Sequence, residues 1–258
     1  MKNLIKLTLT AFVMFIAASC NDELVEPAQA TEDEQTSATR WEDQFITMKI
    51  TTNFDTDIEF YLSGSSGTVS VDWGDGSIQS YTLSSQYTNF YHQYPAEQDY
   101  TINISGNIKM VRSFDMSYEG LKFNHFHFGG LTNLEDVNFN LFQYGPPVIN
   151  LSQNKALKSV NLVGIQGIQD LVLASANVIT HIDLAGENSM STSVVDRVIA
   201  RIHDSVINNP RAGFFNLSKS WVQEEGDNSM IGPPSGYSIN KLRKLRDSYG
   251  WTVAPGLQ

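Results

Sequence analysis

Cys20 is the one cysteine of this 258-residue chain, so neither an intramolecular disulfide nor a CxxC-type metal site can form. A lone cysteine in an exported chain is either a point of lipidation or a free thiol left after ordinary signal cleavage. Histidine occurs five times. His125 and His127 lie two apart on an alternating run, which puts them on one face of a strand, where they could share a metal ion. No third ligand is evident by spacing, and the alternative is a polar outward pair flanking Phe126. His181 and His203 are isolated. Asp72 and Asp75 sit in the run Val71-Asp72-Trp73-Gly74-Asp75-Gly76. Two carboxylates are too few for Ca²⁺, which takes about six to eight oxygens. The competing reading is a structural turn, in which Gly74 and Gly76 take positive φ and Asp75 accepts hydrogen bonds from nearby amides. No nucleophile elbow, phosphate loop or H-E-x-x-H occurs, and nothing singles out a carboxylate pair for glycoside hydrolysis. No catalytic residue, metal ligand or cofactor is therefore assigned.

The formal charge of −11 is not offset by a basic patch, which argues against nucleic acid as a partner. Lys241, Arg243, Lys244 and Arg246 form a basic run that reads as the solvated face of a helix. With 41% hydrophobic and 17% charged residues the chain is globular.

The positioning elements follow from periodicity. The signature apolar-x-x-apolar-x-apolar recurs through 114–184 and ends at Met116, Phe128, Phe139, Leu151, Leu162, Leu173 and Leu184. Successive steps are 11 or 12 residues, and alternate members differ by 22 or 23. Such a period predicts two strands per coil, with the Met116 set on one wall and the Phe128 set on the other. The residues before each last apolar position should face outward: Asp115, His127, Asn138, Asn150, Asn161, Val172 and Asp183. On that model Asp115, Asn138, Asn161 and Asp183 stack in successive coils, and they are the candidate ligand-binding residues. The alternative is a merely solvated polar wall.

Before this ladder, alternation predicts strands at 45–50, 58–62, 69–73, 78–83, 88–92 and 99–105. After it, an apolar stripe predicts a helix from Val194 to Ile207, a strand at 214–217, a second helix at 238–248 and a last strand at 251–253. Strand 181–184 followed by this order favours parallel pairing, read as an extension and lid over an open sheet edge.

Three segments carry family resemblances. Val71-Asp72-Trp73-Gly74-Asp75-Gly76, then His92-Gln93-Tyr94-Pro95 and Tyr100-Thr101-Ile102-Asn103-Ile104, resemble a PKD-type β-sandwich, in which His92 would make a structural hydrogen bond. Leu131-x-x-Leu134-x-x-Val137-x-Phe139, Leu157-x-x-Val160-x-Leu162 and the offset of Asn154 resemble degenerate leucine-rich repeats. The repeat asparagine is displaced elsewhere, as at Asn177 and Asn188. Lys2 and Lys6, the apolar run Leu7 to Ala18, and Ala17-Ala18-Ser19-Cys20 resemble a bacterial lipoprotein signal with its lipidated cysteine. Asn21-Asp22-Glu23 resembles the surface-export signal of Bacteroidota-type lipoproteins. Residues 21–40 have no aromatic residue and would form a coil spanning roughly 25 Å.

The resulting expectation is a mainly β protein. A signal peptide (1–19) and an acidic tether (20–40) precede a PKD-like β-sandwich (41–107). A short leucine-rich-repeat solenoid (108–190) and an α/β C-terminal cap (191–258) follow. It would be a non-catalytic lipoprotein, exposed on the outer membrane through Cys20, that binds a glycan or protein ligand. The alternatives are a glycan-degrading enzyme with an unrecognised carboxylate site, or a structural spacer in a surface complex.

Overall fold

The computed structural model describes residues 44–52, 57–117, 121–140, 145–186, 189–220 and 228–257. The signal segment, Cys20 and the tether lie outside the described residues. All described residues belong to one compact unit, 39–258, and they are mainly β, with fifteen strands and two α-helices.

The alternating runs form β1 (Ile46–Thr51), β2 (Asp57–Gly64), β3 (Gly67–Asp72), β4 (Ile78–Leu83), β5 (Thr88–Gln93) and β6 (Asp99–Gly106), with ends within two residues of those expected. In β1 the apolar residues Ile46, Met48 and Ile50 are buried on one face, as a period of two requires. A five-stranded sheet runs β4-β3-β6-β1-β8, where β8 is Lys122–His127. A register shift opposite Lys49 and Ile50 lets β8 bury both Phe123 and Phe126, which are three residues apart. This differs from the parallel wall expected for the Phe128 set, because β8 joins β1 antiparallel. The phenylalanines explain the choice. Phe126 stacks on Phe123, Phe128 and Phe139 at ring distances of 5.1, 5.4 and 4.9 Å.

The second layer is an eight-stranded sheet. β7 (Val111–Ser117) pairs antiparallel with β2, and β2 with β5. On its other side β7 pairs parallel with β9 (Asp136–Asn140). Then follow β11 (Ser159–Asn161), β13 (His181–Asp183), β14 (Phe214–Asn216) and β15 (Thr252–Ala254), all parallel. In-register pairing aligns Phe114, Val137, Val160, Ile182, Phe215 and Val253 in one buried row. β10 (Val148–Leu151) and β12 (Asp170–Leu173) pair parallel in a separate two-stranded sheet.

The sheet does not end near residue 190. β14 and β15 continue it in register, so the last two strands are further members of the ladder. The chain between them changes character. From Leu162 to Leu184 the step is 22 residues, and from Leu184 to Leu217 it is 33. The longer crossovers hold helices α1 (Thr192–Asn208) and α2 (Gly236–Tyr249), which pack on each other, with α1 also against β12. α1 buries Val195, Val198, Ile199, Ile202 and Val206 on one stripe. Ser235 caps α2, and Gly250 ends it at φ 72°.

Buried polar joints fix the turns. Asn154, 1% exposed, donates through Nδ2 to the carbonyls of Phe128 (2.9 Å) and Leu131 (2.8 Å). Asn177, 23 residues later, donates instead to Ala174 O at 3.0 Å within its own turn and to Arg201 O at 3.4 Å in α1. Arg211 closes the end of α1. Its guanidinium donates to the carbonyls of Ile179, Asn177, Ser205 and Asn209 and to Asn177 Oδ1, at 2.9–3.3 Å. The bonds to Ser205 and Asn209 meet carbonyls at the negative end of the α1 dipole, and those to Asn177 and Ile179 tie the loop before β13 to it. Arg211→Ala should lower unfolding free energy by about 2–4 kcal/mol, measured by urea titration, because several part-buried acceptors lose their donor. Arg211→Lys should recover less than half of that loss, since an ammonium cannot reproduce the planar fork.

Candidate functional site: a polar outer face and a tyrosine–amide basin

The turn with the two aspartates is a closed hydrogen-bonded knot. Asp72 Oδ1 accepts from Gly74 N–H (3.0 Å), and Asp75 Oδ1 accepts from Ser77 N–H (2.9 Å) and Ser77 Oγ (2.5 Å). Asp75 Oδ2 meets His92 Nε2 at 2.8 Å. The His92 ring stacks on buried Trp73 at 4.8 Å and meets Tyr94 edge-on at 4.7 Å. Tyr94 donates to Trp73 O at 3.0 Å and stacks on Tyr100 at 3.9 Å. Gly74, at φ 84°, is required because a Cβ there would lie 2.5 Å from Thr101 O. Burial opposes ionisation of Asp75, but the bonds from Ser77 and His92 outweigh it and hold the carboxyl at about 2. The arrangement orders a turn. Among the described residues no group of three or more His, Cys, Asp or Glu is placed to hold a metal ion, so His125 and His127 have no third ligand there.

The four ladder residues do come into one row. Register pairs Asp115 with Asn138, Asn138 with Asn161 and Asn161 with Asp183, all on the outer face of the eight-stranded sheet. Asn138 Nδ2 donates to Asp115 Oδ2 at 2.9 Å. Asn161 and Asp183 have a second task, since each side-chain oxygen accepts from the backbone N–H two residues on (Val163 at 3.2 Å, Ala185 at 3.0 Å). Such Asx turns end the strands. Asn216 does the same to Ser218 and pairs in register with Asp183, but it is buried, so the outward row ends at Asp183. At the other end the row passes through Tyr61, paired with Asp115, to Asn89 on β5.

Asn89 opens onto a shallow basin of about 590 Å³ lined by Gln79, Ser80, Tyr81, Asn89 and Tyr91. β4 and β5, edge strands of different sheets, supply these residues. Tyr87 and Tyr91 are 55% and 50% exposed, unusual for large rings and therefore informative. The exposed series Tyr87, Asn89, Tyr91 has a period of two and was available in the sequence as a signal.

A second, open cavity of about 1120 Å³ lies between the start of α1 and the Met230–Pro234 turn. Its lining includes Lys219 but no carboxylate, histidine or cysteine among the described residues. Among the described residues, each carboxylate with a shifted titration is shifted down: Asp75, Glu135, Asp196, Asp204 and Asp247. For Glu135 the causes are hydrogen bonds from Lys158 and, against burial, from Arg112.

No family model, curated protein or solved structure matches the chain.

The Asp75 knot gives a pH signature. Its folded value lies below the ordinary one, so the stabilisation is complete above about pH 4 and is lost as pH falls through about 2. Asp75→Asn should cost about 1–2 kcal/mol at pH 7. The gap between variant and parent in chemical denaturation should close between about pH 4 and pH 2. A gap independent of pH would show that the carboxylate charge is not what stabilises the turn.

Proposed function

We propose that the protein is a non-catalytic binding or adhesion lipoprotein, held on the outer membrane through lipidated Cys20 and exposed at the cell surface. In this reading β1 to β6, with their neighbours in both sheets, form a PKD-like β-sandwich that continues into a degenerate leucine-rich-repeat solenoid with an α/β end. The ligand is a glycan or a protein. The observation that carries the reading is the outer row from Asn89 and Tyr61 through Asp115, Asn138 and Asn161 to Asp183, which is rich in amides and carboxylates. An aligned row of fixed polar groups beside exposed tyrosines offers directional hydrogen bonds and flat apolar area together. Hydrolysis of glycans is the second reading; a general acid needs a raised carboxyl pKa, and among the described residues the shifted carboxylates are lowered. No described helix is long and apolar enough to cross a membrane. The anchor therefore rests on the signal pattern and the acyl chains that Cys20 would carry.

Two measurements test this. In the full chain, Cys20→Ser should abolish incorporation of an alkyne-labelled fatty acid and release the protein from the membrane fraction; unchanged labelling would overturn the anchor. The 39–258 unit holds the entire described core, and its binding should be assayed on a glycan array and on immobilised extracellular-matrix proteins. Asp115→Lys with Asn138→Lys, which spares the turn-forming Asn161 and Asp183, should weaken binding by about tenfold or more. Undiminished binding would exclude the row.

A further inference from the structure

We infer that the basin between β4 and β5 is a binding site for neutral carbohydrate, with Tyr91 as the ring platform and Gln79 and Asn89 as its fixed hydrogen-bonding groups. The inference rests on the reading of the protein as a binding module and adds the ligand class and the place.

The amide orientations are set by their partners. Gln79 Oε1 accepts from Trp73 Nε1 at 3.0 Å and from Tyr81 Oη at 2.5 Å. An indole nitrogen only donates, so the oxygen must face inward and the Gln79 NH₂, with its two donors, faces the basin. Asn89 is the converse. Its Nδ2 donates to Glu59 Oε1 at 2.6 Å, which turns the carbonyl oxygen outward as an acceptor. Tyr91 Oη donates to Asp57 Oδ2 at 2.9 Å, fixing a half-exposed ring. Tyr81 is packed against Phe90 at 4.3 Å. Donors, an acceptor and aromatic area are thus held in place before a ligand arrives, which lowers the ordering cost of binding.

The chemistry of the lining selects the ligand. None of the five lining residues carries a charge, although the chain has a net charge of −11. A neutral molecule with hydroxyls that both donate and accept, and with an apolar C–H face to lie on a ring, satisfies every group. An anionic ligand would meet no positive side chain in the lining and would face the carboxylates of Glu59 and Asp57 that hold Asn89 and Tyr91. A peptide adding as a strand would follow one sheet edge, whereas the basin bridges edges of two different sheets.

The probes are cellohexaose, xylohexaose, mannohexaose and chitohexaose, titrated to about 10 mM into the ¹⁵N-labelled 39–258 unit. At least one should shift the amide signals of residues 79–81 and 89–91. Tyr91→Ala should weaken that sugar by about tenfold, and Tyr91→Phe by less than about threefold. The wild-type shift map stands even if Tyr91→Ala fails to fold. Binding that leaves 79–81 and 89–91 unmoved overturns the site, while the wider binding reading survives. No binding by any of the four sugars overturns the carbohydrate inference. The array measurement of the same unit on protein ligands then decides the wider reading independently.

Discussion

β7 is the strand on which the architecture turns. Its backbone pairs antiparallel with β2 through Tyr61–Asp115, Leu62–Phe114 and Ser63–Ser113, and parallel with β9 through five residues from Ser113 to Ser117. An antiparallel arrangement and a parallel ladder are thereby joined in one hydrogen-bonded sheet, with no edge between them. Phe114 makes the join apolar as well. It stacks on Phe60 at 5.6 Å on one side and meets Phe128 and Phe139 edge-on at 5.4 and 5.5 Å on the other. Leu62, Phe60 and Phe114 on one side and Val137, Phe139 and Phe128 on the other belong to one continuous core. Neither half buries this surface alone, and an exposed β7 edge would be a site for aggregation.

The polar row follows from the same constraint. Parallel strands of three to five residues must stop together, and an Asn or Asp at the last strand position accepts the N–H two residues on and turns the chain. The glycines complete the turn. A Cβ on Gly186 would lie 2.8 Å from Gly164 N, so consecutive turns stack backbone on backbone. Asn161, Asp183 and Asn216 are thus selected by folding first. Asp115 and Asn138 are also joined to each other across the strands, Asn138 Nδ2 donating to Asp115 Oδ2. A binding role is tested at those two positions with the Asn161 and Asp183 turns left intact.

Much of this was legible in residue order. Alternation located the first six strands, and the recurrence of Met116, Phe139, Leu162 and Leu184 placed the strands that form the parallel ladder. Two features were hidden. The burial of both Phe123 and Phe126 depends on a register shift against β1, and a period of two cannot register such a slip. The continuation through β14 and β15 was masked because helical crossovers need more residues than extended ones, so the period vanished while the register persisted. The basin was harder still. Its residues come from strands that are edges of two separate sheets, and only the exposed alternation of Tyr87, Asn89 and Tyr91 marked one side of it.

The two candidate surfaces are one in geometry. Asn89 lines the basin and is also paired with Tyr61, hence with Asp115 and the row beyond. From β5 to β13 the row crosses six strands, and five steps of about 4.8 Å give roughly 24 Å. Along that distance the groups repeat across the strands, not along them. A ligand engaging the whole row would therefore be an extended chain lying perpendicular to the strands, with one end over Tyr91. A compact ligand would meet only the basin. The difference is set by the in-register pairing of β7 with β9, since a slip of one residue there would turn Asn138, Asn161 and Asp183 into the core and break the row at Asp115.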